Sequence, residues 1–245
     1  MKPKGHRLLH NPLLPGFTLI EMLAVLAIVG IVVSMTVPAV VGLSKANTLT
    51  VAARQLSDDL NLARQMAINN RSVVYVLFVS TIKTPTIKSL QKGQGSQYAF
   101  FSDRKVGDQP GVYHPVFLGK WKSLPENMFI IPYKFANVQG NPDYTPFPKR
   151  TFKFTREFFP GESSDLDVEM PYVAFSPAGK LLNGRQQDEL ITVFIGSMVT
   201  DFNPNGTIAR RIIFETPVGD YTNQPTRIRV DWVTGKSRIE KLEIK

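Results

Sequence analysis

Few residues in this chain have the type and spacing for chemistry. There is no cysteine, so thiolate metal sites, disulfides and a cysteine nucleophile are all excluded. Three histidines are present, His6, His10 and His114, and the first two lie close to the N-terminus. No nucleophile-elbow motif accompanies them. Lys92-Gly93-Gln94-Gly95 lacks the third glycine and the strand-to-helix setting of a dinucleotide site and reads as a loop. Asp201-Phe202-Asn203-Pro204-Asn205-Gly206 opens with the spacing of a calcium loop, and Asp201, Asn203 and Asn205 are its candidate ligands. The bidentate acid due at the twelfth position is absent, because Ile212 stands there, so a turn between two strands is the expectation. No catalytic residue, metal site or cofactor is expected, and the chain does not read as an enzyme.

One carboxylate stands out by its surroundings. Between Phe17 and Val33 the only charged residue is Glu21. A helix from Phe17 to Val41 would be roughly 37 Å long, enough to cross a bilayer. An ionised acid beside hydrocarbon is costly and requires a partner. Glu21 lies four residues from Phe17, on the same helix face, and close to the positive end of the helix dipole. If the chain were cut after Gly16, the new amine on Phe17 would be that partner, either in the same chain or in a neighbouring copy. The small residue at the cut precedes the apolar run, whereas a secretory signal peptide places it after. Residues 1–16 carry Lys2, Lys4 and Arg7 and no acid, which predicts a cytoplasmic N-terminus with the remainder exported.

The block Gly16-Phe17-Thr18-Leu19-Ile20-Glu21-Met22-Leu23 resembles the processing motif of type IV prepilins and type II secretion pseudopilins. The resemblance implies cleavage between Gly16 and Phe17 by a prepilin peptidase, N-methylation of Phe17, and a requirement for Glu21 in methylation and filament docking. Pro38 matches the proline that bends the helix in such proteins, as proline does by removing a backbone donor. Three further pieces, Leu60 to Arg71, Phe175 to Lys180 and Asp231 to Ile239, resemble the GspH/FimT family of minor pseudopilins and minor pilins. That family implies an α+β pilin-like fold: one long N-terminal helix, its first half transmembrane, packed on an antiparallel β head. It implies a periplasmic filament subunit of the inner membrane, most simply in type II protein secretion. Its implied partners are other pseudopilins or pilins, the prepilin peptidase and methyltransferase, the inner-membrane assembly platform and secreted cargo.

Several elements must position these residues. The expected organisation is a basic leader over 1–16, an assembly helix over 17–42, an amphipathic continuation over 43–71 and a β-rich head over 72–245. Leu49, Ala52, Leu56, Leu60, Ala63 and Ala67 recur at spacings of three and four, with Arg54, Asp58, Asn61 and Gln65 largely off that stripe, ending a helix near Asn69. Strands are expected at 73–79, 97–102, 112–118, 127–133, 151–155, 171–176, 190–197, 208–215 and 226–233, punctuated by some of the eighteen prolines. Residues 81–160 show little periodicity and read as an irregular insertion, and the acidic run Glu162 to Glu169 as a solvated loop.

Net charge is +9. It allows a second function, a DNA-binding minor pilin acting in uptake, with Arg210, Arg211, Arg227, Arg229, Lys236 and Arg238 as candidate contacts. Arg227 and Arg229 would share one strand face. Processing gives the most direct test of the leading expectation. N-terminal sequencing of the exported protein should begin at Phe17, and Gly16→Glu should leave the leader attached; a start at Met1 or beyond residue 41 would refute it.

Overall fold

The computed structural model describes residues 17–80, 87, 90, 93–105, 107–109, 111–136, 145–155, 158–159, 165–202, 208–215 and 226–241; within these, the side chains of 35–46, 202, 208–212, 214–215 and 241 lie outside the description. Gly16 and Asn203 to Thr207 lie outside it altogether. One helix, α1, spans Leu19–Asn69. Pro38 falls within those bounds, among residues whose side chains are not described. Contacts divide the chain into residues up to Ser44 and a unit from Lys45 onward. Among the described residues no helix is long and apolar enough to cross a membrane.

The unit from Lys45 has an α+β architecture built on two antiparallel sheets. One runs in the order β3 (Val116–Phe117), β2 (Gln97–Ser102), β1 (Val74–Phe78), β7 (Leu166–Phe175), β6 (Lys149–Phe154), with the short β4 (Lys122–Ser123) also on β2. The other runs β11 (Ser237–Lys241), β10 (Thr226–Val230), β8 (Glu189–Phe202), β5 (Met128–Ile130), with β9 (Ile208–Glu215) also on β8. Every strand pair is antiparallel.

The predicted apolar stripe of α1 is the centre of the core. Ala52, Leu56, Leu60, Ala63 and Ala67 are fully buried, and Ala53 joins them. They pack on Val74, Val76 and Phe78 of β1, Tyr98 and Phe100 of β2, and Ile191, Val193, Ile228 and Val230 of the other sheet. The four alanines have small side chains, which lets backbone and sheets approach closely; the two leucines fill the remaining volume. Truncating such a leucine costs about 2–5 kcal/mol.

Sheet β3-β2-β1-β7-β6 is covered on its second face as well. Leu77, Phe101, Phe152, Phe154 and Met170 are buried there with Ile87, Leu90 and Phe159. The rings meet mostly edge to face, as Phe101 does with Phe152 and Phe154 at 5.4 and 5.5 Å. The reading of 81–160 as an irregular insertion is corrected in one respect: besides the strands expected at 97–102 and 151–155, which are β2 and β6 of the sheet, the stretch supplies the cover for its outer face. β2 is buried on both faces and shows no alternation, whereas Lys149, Thr151 and Lys153 of β6 are exposed between more buried neighbours, a clean period of two. The acidic run is corrected too. Residues from Leu166 onward are strand, pairing with β6 from Phe154↔Leu166 to Lys149↔Pro171. Asp167 and Glu169 are exposed while Leu166 and Val168 are half-buried, the period of a one-sided strand.

Other boundaries moved for local reasons. Of 112–118 only Val116–Phe117 is strand. β5 stops at Ile130, and Pro132, which has no N–H to donate, opens a 3-10 turn over Pro132–Lys134. β4 and β11 were not expected, the first because it is two residues long and the second because Ser237-Arg238-Ile239-Glu240-Lys241 is mostly polar.

The turns at Gly179 and Gly235 lock together. Both have positive φ, +76° and +64°, and a Cβ on Gly235 would lie 2.1 Å from the Gly179 carbonyl oxygen. Gly235→Ala should therefore strain the backbone and separate the two turns, lowering stability by about 2–3 kcal/mol in urea unfolding. An unchanged midpoint would show that the contact is dispensable.

Candidate functional site

Three sequence pieces that are far apart in the chain meet on the polar side of α1. Arg64 Nε donates to the Gly179 carbonyl at 3.1 Å and to the Thr234 carbonyl at 2.6 Å. Asn61 reads the backbone of Ser237 in both directions: its Nδ2 donates to the carbonyl at 3.2 Å, and its Oδ1 accepts from the N–H at 2.9 Å. The Ser57 and Ser237 hydroxyls are 2.8 Å apart. The Asp231 carboxylate accepts from Thr234 N–H at 2.7 Å and its hydroxyl at 2.8 Å, which closes the turn. Those bonds hold the Asp231 carboxyl below the usual carboxylate range. On the other flank the buried Asp59 accepts from Tyr98 Oη at 2.6 Å and from Lys122 Nζ at 2.5 Å, while Gln55 Nε2 donates to the Ser123 carbonyl at 2.8 Å. Burial, then the bond to Asp59, pushes the Tyr98 hydroxyl well up. Helix α1 is thus bonded to both sheets by side chains that leave its apolar stripe undisturbed.

The start of α1 has a different chemistry. Thr18 Oγ1 accepts from Glu21 N–H at 3.3 Å, and Glu21 Oε2 accepts from Thr18 N–H and from its hydroxyl, each at 3.4 Å. This reciprocal arrangement is a capping box. The threonine three residues before the glutamate was the sequence signal for it, and the sequence reading missed it. Glu21 forms no salt bridge among the described residues, and its side chain is exposed. From Leu19 to Ser34 every residue is exposed, including Leu19, Ile20, Leu23, Leu26, Ile28 and Ile31. Phe17 is 73% exposed. This stretch has no polar face at all, and a helix that is apolar all round belongs in an apolar environment.

The candidate nucleic-acid contacts do not form one free cationic surface. Arg227 and Arg229 share a face of β10, as predicted, opposite Glu240 and Arg238 of β11. Arg229 is engaged internally: Nε donates to Asp188 at 2.5 Å and Nη1 to Glu240 at 3.1 Å. Those two carboxylates, Asp188 first, raise its pKa above the ordinary arginine value. Arg238 is 68% exposed and lies 3.6 Å from the same Glu240. Lys236 is exposed in the preceding turn. Arg210 and Arg211 lie on β9, opposite Asp201 and Thr200 of β8. Asp201 is exposed near the end of β8, and its companions in the candidate calcium loop, Asn203 and Asn205, lie outside the described residues. Among the described residues no group of three metal-ligating side chains comes together. Gly16 likewise lies outside them.

No protein-family model matches the chain, and no curated protein matches it in sequence. Two solved structures are similar in outline. The type IV minor pilin FimU of Pseudomonas aeruginosa aligns over 82% of this chain and 92% of its own, at 9% identity and a TM-score of 0.36. The minor pseudopilin EpsH from the type 2 secretion system of Vibrio cholerae aligns over 79% of this chain and 96% of its own, at 8% identity and a TM-score of 0.34. At TM-scores below 0.5 neither likeness carries an inference.

Proposed function

We propose that this chain is a pilin-like filament subunit, a minor pseudopilin of a type II secretion machine. The observation that carries the reading is the start of α1. The block from Gly16 to Leu23 heads a helix whose described residues expose apolar side chains on every side, with one carboxylate at the fifth position after the expected cut. Such a surface needs lipid before assembly and neighbouring helices after it. The head needs no reactive group for this role; it offers surface to other pilin-like subunits and to cargo. The pieces that resemble the GspH/FimT family support the finer assignment, since Leu60 to Arg71, Phe175 to Lys180 and Asp231 to Ile239 form one bonded junction.

In this reading the segment over 17–42 crosses the inner membrane with the head in the periplasm, and a prepilin peptidase removes residues 1–16. Glu21 then has two successive partners. In the uncut chain its carboxylate is held by Thr18. After cleavage and methylation the amine on Phe17 remains basic, and the amine of an adjacent subunit offers a charge that the Thr18 hydroxyl cannot. Exchanging a neutral cap for an ion pair in low dielectric favours docking of one helix against the next.

The corresponding test uses Glu21→Gln. Glutamine preserves the capping geometry and removes the charge, so expression, cleavage and the fold of the head should be unchanged. Disulfide cross-linking through cysteines introduced into α1, in the otherwise wild-type chain and in Glu21→Gln alike, should fall by about tenfold in the variant, the factor that corresponds to 1.4 kcal/mol. Equal cross-linking of wild type and Glu21→Gln would reject the pairing.

A further inference from the structure

Apolar side chains stand out from the head around the paired turns at Gly179 and Gly235. Trp232 is 37% exposed, Val233 46% and Leu182 41%. Pro177 and Ala178, in the first turn, are exposed as well. The two turns are neighbours: Leu181 N–H donates to the Trp232 carbonyl at 3.3 Å, and Gly235 lies against the Gly179 carbonyl. Lys180 and Lys236 each follow one of the glycines, and both are exposed. Neither lysine forms an ion pair among the described residues. The patch therefore combines an apolar centre with an uncommitted ammonium group on either turn.

Its backbone donors are already used. From Asp231 to Lys236 every N–H is bonded inside the head. Asp231 donates to the Lys236 carbonyl at 3.0 Å, and Gly235 to the Asp231 carbonyl at 2.8 Å. Trp232 N–H donates to the Asp188 carboxylate at 2.9 Å, and Lys236 N–H to the Thr234 hydroxyl at 3.3 Å. Val233 and Thr234 N–H both donate to the Asp231 carboxylate. In the facing turn Gly179 N–H donates to the Ser176 carbonyl at 2.8 Å, and Lys180 N–H to the Ser176 hydroxyl at 3.0 Å. Arg64 occupies the Gly179 and Thr234 carbonyls. The carboxylates beside the patch are engaged too, Asp231 by its own turn and Asp188 by Arg229.

A peptide partner is read through a strand edge or through open polar groups. This surface offers neither. A lipid surface asks for the reverse: an apolar element enters the headgroup boundary cheaply only if no backbone N–H is stranded there. Tryptophan suits that depth, because its ring is amphipathic. Lysine reaches phosphate while its stem stays on apolar surface. Two free ammonium groups complement an anionic headgroup and gain less from a zwitterionic one.

We propose that the paired turns are a docking site for an anionic phospholipid bilayer. Trp232 and Val233 enter the headgroup boundary, Leu182 lies against it, and Lys180 and Lys236 meet the phosphates. Every residue of this contact lies in the unit from Lys45 onward, so it holds whichever machine the chain serves.

Trp232 can report its own contact. The chain has two tryptophans, and Trp121→Phe leaves Trp232 alone. Trp121 packs on Phe117 and Phe159 and its ring nitrogen has no hydrogen bond, so phenylalanine is tolerated there. The full-length protein, carried in nanodiscs of phosphatidylcholine, is mixed with vesicles of equal parts phosphatidylcholine and phosphatidylglycerol. Trp232 emission should move to shorter wavelength and be quenched by bromine on the vesicle acyl chains. Vesicles of phosphatidylcholine alone should do neither. K180Q/K236Q should weaken binding by about thirtyfold, the factor for about 2 kcal/mol at about 1 kcal/mol per lysine. W232S/V233S, with an unchanged circular dichroism spectrum, should no longer be captured by immobilised anionic vesicles. No quenching by the anionic vesicles, equal quenching by both compositions, or undiminished binding of either variant would overturn the proposal. So would an emission shift that grows with protein concentration before any vesicle is added, the result of a second copy on the patch. If W232S/V233S does not fold, K180Q/K236Q and the choice of lipid decide the matter alone.

Discussion

The close approach of α1 to both sheets is the constraint on which the head depends. It is possible because Ala52, Ala53, Ala63 and Ala67 present almost no side chain where the strands cross. Leu56 and Leu60, with the partly buried Leu49 and Met66, fill the larger gaps. A wider helix surface would push the sheets outward and break the polar bonds that run beside the apolar stripe. Arg64 can reach the carbonyls of Gly179 and Thr234 only while those turns stay against α1, and Gly235 is the residue that lets the turns touch. Packing and hydrogen bonding thus fix the same spacing.

Much of this was legible in the chain. The stripe from Leu49 to Ala67 gave the helix and its buried face, because amphipathic spacing reports burial directly. Strands with one exposed side, such as β10, also read correctly. The strands expected at 73–79, 97–102 and 151–155 are present as well, but what covers them was not legible. Tyr75, Phe101, Phe152 and Phe154 lie on a sheet face hidden by residues from elsewhere in the sequence, so their environment is not encoded in their neighbours. Leu166 to Glu169 alternates as a strand should, yet its acidic composition outweighed its period. The ion pair of Lys134 and Glu189 joins residues 55 positions apart and has no local signature.

The functional residues divide in the same way. Glu21 is conspicuous because its neighbours are apolar, whereas Thr18 shows its capping role only through its three-residue spacing from Glu21 at the helix start. The arginines near the C-terminus read as a cationic set by composition. In the fold, Asp188 arrives from another strand connection and Glu240 from the partner strand, and together they occupy Arg229. A count of charges cannot anticipate which of them are already used.

The bonds from α1 to the head also have a mechanical meaning. Gln55, Ser57, Asp59, Asn61 and Arg64 attach to the sheets over ten positions of one helix, a distance of about 14 Å along its axis. A pull along that axis would load all of them at once, in shear, together with the leucines wedged between the strands. Bonds arranged in parallel share a load, whereas bonds in series fail one at a time. The helix is therefore seated to transmit axial force into the head without peeling away from it, and the turns at Gly179 and Gly235 are the footing against which it pushes.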